Sequence, residues 1–111
     1  MNLDDFSEDG LRESARKTGV PEHIRDGLIR YVRTGCPVGD FLTAVLSNDL
    51  KYAVLKADEK NRHALREIIL WLINYTPSGC HGDAGSVPYW HGMGGYVGLM
   101  ACEILPDGGE F

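Results

Sequence analysis

Phe41–Ala57, FLTAVLSNDLKYAVLKA, carries the densest regular spacing of apolar side chains in the chain. Phe41, Leu42, Val45, Leu46, Leu50, Ala53, Val54 and Ala57 recur every three or four residues, which on a helix makes one broad apolar face. A face that wide needs partners on several sides, so the segment reads as a central helix against which its neighbours hide their own stripes. Asn48-Asp49 is its weak step, because both residues favour caps over helix interiors; a kink or a new N-cap is predicted there. The fold class that follows is mainly α: a compact bundle of about four helices, with a glycine-rich C-terminal segment carrying one or two short helices. Its core is predicted to centre on Phe41, Leu46, Leu50, Leu65, Ile69 and Leu72.

The flanking segments supply the partners. Residues 1–19 read as a short helix capped by Ser7, with Glu8 and Asp9 in the first turn, Arg16 and Lys17 in the last, and Gly19 as its stop. Leu11 and Ala15 give it only a thin stripe, so it is expected as an appendage. A better helix opens at Pro21 and ends at Gly35, with Ile24, Leu28, Tyr31 and Val32 on one face. Gly27 inside it marks a possible close approach of another helix. Pro37 to Asp40 should start the central helix. Asp58 or Asn61 should cap the last strong one, whose stripe is Ala64, Leu65, Ile68, Ile69, Leu72 and Tyr75. Trp71 and Ile73 widen that stripe, predicting cover from two sides, and Pro77 ends the helix.

After Pro77 the composition changes, since nine of the fourteen glycines lie between Gly79 and Gly109. Residues 76–85 read as loop. Ser86 caps a short helix carrying Tyr89, Trp90 and Met93 as far as Gly94-Gly95. Residues 96–105 form a second short apolar piece, with helix favoured over strand, and residues 106–111 a tail. The 111 residues are read as a single domain, with 20–76 as its helical core and 77–105 as a glycine- and aromatic-rich segment.

Composition narrows the function classes. A hydrophobic fraction of 43% and a charged fraction of 24% are ordinary for a globular domain. No apolar run approaches the roughly 20 residues that span a bilayer, and the acidic start MNLDDFSEDG is unlike a signal peptide, so a cytoplasmic, non-membrane protein is expected. The three cysteines, Cys36, Cys80 and Cys102, are far apart and form no CxxC pair, as reduced thiols would be. Of the net charge of −5, the first 66 residues carry none, because eleven acids there balance all eleven Lys and Arg. The C-terminal third holds five acids (Glu67, Asp83, Glu103, Asp107, Glu110) and no base, which disfavours a nucleic-acid groove.

The motifs VPEHIRDGLIRYV, the Gly-x-Pro step, FLTAVLSNDLKYAVLKADEKN, NYTPSGC and a Ser86…Trp90…Gly94-Gly95 tail occur in order. From about Val20 to Gly95 the chain resembles a family of small uncharacterised phage and prophage proteins. It departs from that pattern at His81, where an aromatic is more usual, and in its longer C-terminus. The resemblance implies a phage accessory protein acting in the host cytoplasm, a class that often works by binding a host or defence-system protein. It implies no catalytic residues.

Chemistry is weakly signalled. Cys80, His81, His91 and Cys102 could ligate zinc, but structural sites bring ligands in spaced pairs and only the adjacent Cys80-His81 is close; no metal or cofactor is expected. Gly92–Gly98 matches neither the dinucleotide fingerprint nor the P-loop, and reads as a helix-ending turn. Ser78 or Cys80 with His81 and Asp83 makes a nucleophile set only on paper. The leading reading is therefore a non-catalytic binding protein whose surface lies at Asp83, Tyr89, Trp90, His91 and Tyr96, because interface centres favour Trp and Tyr. The alternatives are a small-molecule or nucleotide-sequestering protein with a pocket near Tyr89–Tyr96, and an enzyme. A homo-oligomer stays open. If Trp90 and Tyr96 instead plug the open end of the bundle, the helix faces carrying Arg25, Arg30 and Arg33 are the next candidates.

Overall fold

The computed structural model describes residues 6–104, the side chains at 62 and 102–104 excepted; the expected tail at 106–111 lies outside them. Among the described residues there are eight α-helices and no strand: α1 (Glu8–Thr18), α2 (Glu22–Thr34), α3 (Asp40–Leu46), α4 (Leu50–Lys56), α5 (Glu59–His63), α6 (Leu65–Tyr75), α7 (Ser86–Met93) and α8 (Gly95–Ile104), with a 3₁₀ turn at Ser78–Cys80. The mainly helical class is therefore as read from the sequence. The two longest expected helices are each divided in two, as α3 with α4 and α5 with α6.

Helix ends follow their local chemistry. Ser7 Oγ accepts the Gly10 N–H at 3.1 Å, and Gly19, at φ 95°, turns its own N–H back to the carbonyls of Ala15 and Arg16. Pro21 immediately precedes α2 and Gly35, at φ 77°, closes it. Between α3 and α4, Asn48 takes a left-handed φ of 59° and Asp49 caps the new helix, its Oδ1 accepting the Tyr52 N–H at 3.2 Å. Asp58 caps the short α5 by accepting the Asn61 N–H at 2.8 Å, so α6 starts afresh at Leu65.

The core is built around α2, not around Phe41–Ala57. Leu28, Tyr31 and Val32 are fully buried, with α1 packed on one side of the helix and α8 on another. The Phe41–Ala57 segment contributes only its first half: Phe41, Leu42, Ala44, Val45 and Leu46 are buried, whereas α4 buries Ala53 alone. Leu50 is 64% exposed, Val54 45% and Leu55 79%. The cause is Asn48, since a left-handed residue resets the direction and rotational phase of the chain, and the apolar rows of α3 and α4 no longer point the same way. Placing Leu50 at the core centre is thereby corrected.

The stripe of α6 is corrected too. Ala64, Ile68, Trp71 and Leu72 face inward and Leu65 is half-buried, while Ile69, Ile73 and Tyr75 face out, so the helix is covered on one side only. Trp71 sets this rotation. Its large ring is fully buried and its Nε1 donates to Ser14 Oγ on α1 at 2.9 Å, satisfying the indole N–H. The same contact shows that α1 is a wall of the core, with Leu11 and Ala15 buried, and not an appendage. Gly27 has open space around it; the close approach of helices occurs instead between Gly35 and Gly95.

Leu46→Ala should cost about 2–5 kcal/mol in urea titrations, the range for a fully buried leucine. Leu50→Ala should stay within about 0.5 kcal/mol. Equal costs for the two would return Leu50 to the core.

Candidate functional site

The last carbonyls of any helix lack intrahelical donors and need partners from elsewhere. At the end of α2 the Gly35 N–H turns back to the Tyr31 carbonyl at 2.8 Å, and further donors come from α7. Trp90 Nε1 donates to the carbonyls of both Tyr31, at 3.0 Å, and Val32, at 3.1 Å. The next residue, His91, places Nδ1 2.8 Å from the Gly35 carbonyl, and because a carbonyl only accepts, that nitrogen carries the proton. Tyr31 in turn donates its phenol to the Cys80 carbonyl at 2.8 Å, and burial pushes that phenol's pKa well above its usual value.

This accounts for most of the residues expected at a binding surface. Trp90 is buried and His91 is held at the end of α2. Tyr96 is buried under the edge of Phe6, ring centroids 5.2 Å apart, with the Arg33 guanidinium 6.0 Å from its ring centroid. Asp83, not Ser86, caps the start of α7: its Oδ1 accepts the N–H groups of Gly85 at 2.8 Å and Ser86 at 3.0 Å. Tyr89 is exposed. Four of the five residues serve a loop, a helix end and an aromatic contact, Tyr89 stands exposed, and their side chains line no common cleft.

The glycine run at Gly92–Gly98 is equally structural. Gly94, at φ 86°, closes α7. A Cβ on Gly95 would lie 2.5 Å from the backbone nitrogens of Gly35 and Thr34, so backbone is packed directly on backbone where a phosphate would have had to enter.

The candidate nucleophile set is not assembled. Cys80 is buried, its thiol 3.4 Å from Thr76 Oγ1, and desolvation pushes its pKa up to about 11, which keeps it a neutral thiol. His81 is half-buried and turns Nε2 to the Leu72 carbonyl at 3.0 Å; burial holds its pKa below the usual range. Among the described residues no group of three or more His, Cys, Asp and Glu is placed to hold a metal ion, and the Cys102 side chain lies outside them.

The cleft beside α7, lined by Tyr31, Pro37, Val38, Thr43, Val87, Pro88 and His91, holds about 210 Å³. Small-molecule sites usually enclose roughly 300–1,000 Å³, so it suits no drug-sized or nucleotide ligand. Larger grooves lie on the α1–α2 face, about 380 and 420 Å³, on either side of the 2.6 Å ion pair between Arg12 and Asp26. The exposed apolar row of α4 is the other feature of the surface that reasoning from sequence misplaced. Its only signal was the Asn48-Asp49 step.

Family models, curated proteins and solved structures offer no match to this chain.

Trp90→Ala should cost about 3–5 kcal/mol, whereas Tyr89→Ala should stay within about 0.5 kcal/mol. Trp90→Phe, which keeps a ring but removes the N–H, should fall between them; a cost for Trp90→Phe no larger than for Tyr89→Ala would mean that the Val32 carbonyl does not depend on the indole.

For His81 the neutral form is favoured in the folded state, so its contribution to stability is present above the unfolded value, near 6.5, and is lost as pH falls toward the lower folded value. Urea midpoints should drop more between about pH 7 and pH 5 for the wild type than for His81→Asn. Parallel pH profiles would remove His81 as the cause.

Proposed function

We propose that this chain is a phage-type accessory protein that acts without catalysis in the host cytoplasm, by covering the surface of a host or defence-system protein. The observation that carries the reading is the apolar surface of α4, where Leu50, Tyr52, Val54 and Leu55 are all exposed on one seven-residue helix that packs chiefly against α3. Single exposed leucines are ordinary on any protein, but contiguous ones mark contact surfaces.

The chemistry around the row suits an interface. Leu50 and Val54 stand one turn apart on the same side, and Leu55 extends the patch. Three nearby acids are occupied locally: Asp49 and Asp58 cap α4 and α5, and Asp40 lies 4.0 Å from the Lys56 ammonium. Lys56 also stands 5.3 Å over the Tyr52 ring. The result is an apolar centre with a charged rim, the usual plan of a protein-binding patch. In this reading the buried helices form a bundle that serves as scaffold and presents α4. The surface expected at Trp90 and Tyr96 gives way to α4 because those rings are spent on the core. The phage context rests on the resemblance of residues 20–95.

The test is a photo-crosslinking amino acid placed at position 55, in the wild type and in a variant carrying Leu50→Asp. A discrete adduct with a different protein in the wild type, lost in the variant while the melting temperature shifts by no more than about 4 °C, is the expected result. Retention of the adduct in the variant, or an adduct formed only with a second copy of this chain, would overturn it.

A further inference from the structure

We infer that the cleft between α1, α2 and α8 binds a small phosphate monoester, with Arg30 and Arg33 as the groups that hold its phosphate. The cleft holds about 420 Å³ and is lined by Glu8, Arg12, Asp26, Ile29, Arg30, Arg33, Thr34 and Val97. The inference is independent of the α4 reading and stands or falls without it.

The arginines of α1 and α2 are not equivalent. Arg12 is shared between Asp26, at 2.6 Å, and Glu8, at 3.4 Å; Arg16 grips Glu13 with two hydrogen bonds; Arg25 donates Nε to the Val20 carbonyl. Arg33 is anchored from behind: Nη1 donates to the Phe6 carbonyl at 2.9 Å and the guanidinium lies 6.0 Å from the Tyr96 ring centroid. An arginine fixed in this way loses little freedom when it binds an anion with its remaining N–H groups. Arg30, one turn earlier on the same face of α2, is attracted to the Asp26 carboxylate but makes no side-chain hydrogen bond or ion pair with any described residue. Two guanidinium groups three residues apart, one anchored on a carbonyl and one without a hydrogen-bond partner among the described residues, thus border the same cleft.

Charge and shape select the ligand. Among the described lining residues two acids, Glu8 and Asp26, stand against three arginines, Arg12, Arg30 and Arg33, and neither acid forms an ion pair with Arg33. An anion is therefore drawn to the α2 C-terminal side of the cleft. A monoester phosphate, with a charge of roughly −1.5 to −2 and three acceptor oxygens, can engage both guanidinium forks, where a single carboxylate would engage one. Val97, 46% exposed, offers apolar surface to the organic part of the ester. A nucleic-acid backbone is a poor fit, because its successive phosphates would meet Glu8 and Asp26. The volume falls in the usual small-ligand range of roughly 300–1,000 Å³.

The test is calorimetric titration of the full chain with glucose 6-phosphate and AMP, against glucose, adenosine and inorganic sulfate. Both phosphate monoesters should bind, and the two parent compounds should not. Arg30→Ala should weaken binding roughly tenfold or more, the loss expected from a charge-assisted hydrogen bond. Arg33→Lys, which keeps the charge and a donor for Phe6 but loses the fork, should weaken it several-fold with the melting temperature held. Arg25→Ala, on the neighbouring groove, should bind as the wild type does. The inference fails if folded Arg30→Ala binds as tightly as the wild type, if glucose and adenosine bind as well as their phosphates, if sulfate binds as tightly as the esters, or if neither ester binds at about 10 mM.

Discussion

The indole N–H of Trp90, shared between the carbonyls of Tyr31 and Val32, is the contact on which the rest of this fold depends. α2 lies at the centre of the core, and its last turn, although Thr34 reaches the surface, buries the main chain around Tyr31 and Val32. A buried carbonyl left without a donor costs about 1–3 kcal/mol, and while the Gly35 N–H already serves the Tyr31 carbonyl at 2.8 Å, the Val32 carbonyl relies on the indole. α7 resolves the difficulty by crossing the end of α2 closely enough for a side chain to reach the main chain. That closeness has its own requirement: Gly35 and Gly95 meet backbone to backbone, and both sit at positive φ. The glycine richness of the C-terminal third is in part the geometry of a helix cap.

A second tryptophan repeats the logic on the opposite side. Trp71 joins α6 to α1 through Ser14, as Trp90 joins α7 to α2, and in each case a large apolar ring is buried with its one polar group satisfied. These two contacts close the core between segments far apart in sequence. The ion pairs among the described residues, by contrast, lie on exposed or half-exposed side chains and add little individually. Their arrangement matters for what α1 and α2 present to solvent more than for what holds the helices together.

Much of this was legible in the sequence and some was not, for identifiable reasons. The starts and stops at Ser7, Gly19, Gly35 and Asp49 follow from local backbone chemistry, which composition reports directly. The facing of helices is a tertiary property. A period-3.6 row continues through Leu46, Leu50 and Val54 on paper, but one left-handed residue at Asn48 rotates everything after it. Ile69 and Trp71 compete for the inward side of α6, and only the position of Ser14 decides the winner. At Trp90 and Tyr96 aromatic composition pointed equally to an interface and to a core, since both favour the same residue types. The Arg30 and Arg33 cleft was visible only as a charged helix face, because the anchor of Arg33 comes from the Phe6 carbonyl, twenty-seven residues away.

The cap on α2 also bears on how the chain is made. Its donor is separated from its acceptors by 58 and 59 residues, so the central helix is synthesised long before the group that completes it. A nascent chain that has emerged only as far as α6 can gather α1, α2 and α6 around Trp71, yet it still exposes the Val32 carbonyl and the faces that α7 and α8 will cover. Contacts of such long separation slow folding, and partly built cores of this kind are aggregation-prone. The final commitment to the folded state must therefore wait for the C-terminal third, which makes that segment the clasp of the molecule in time as well as in space.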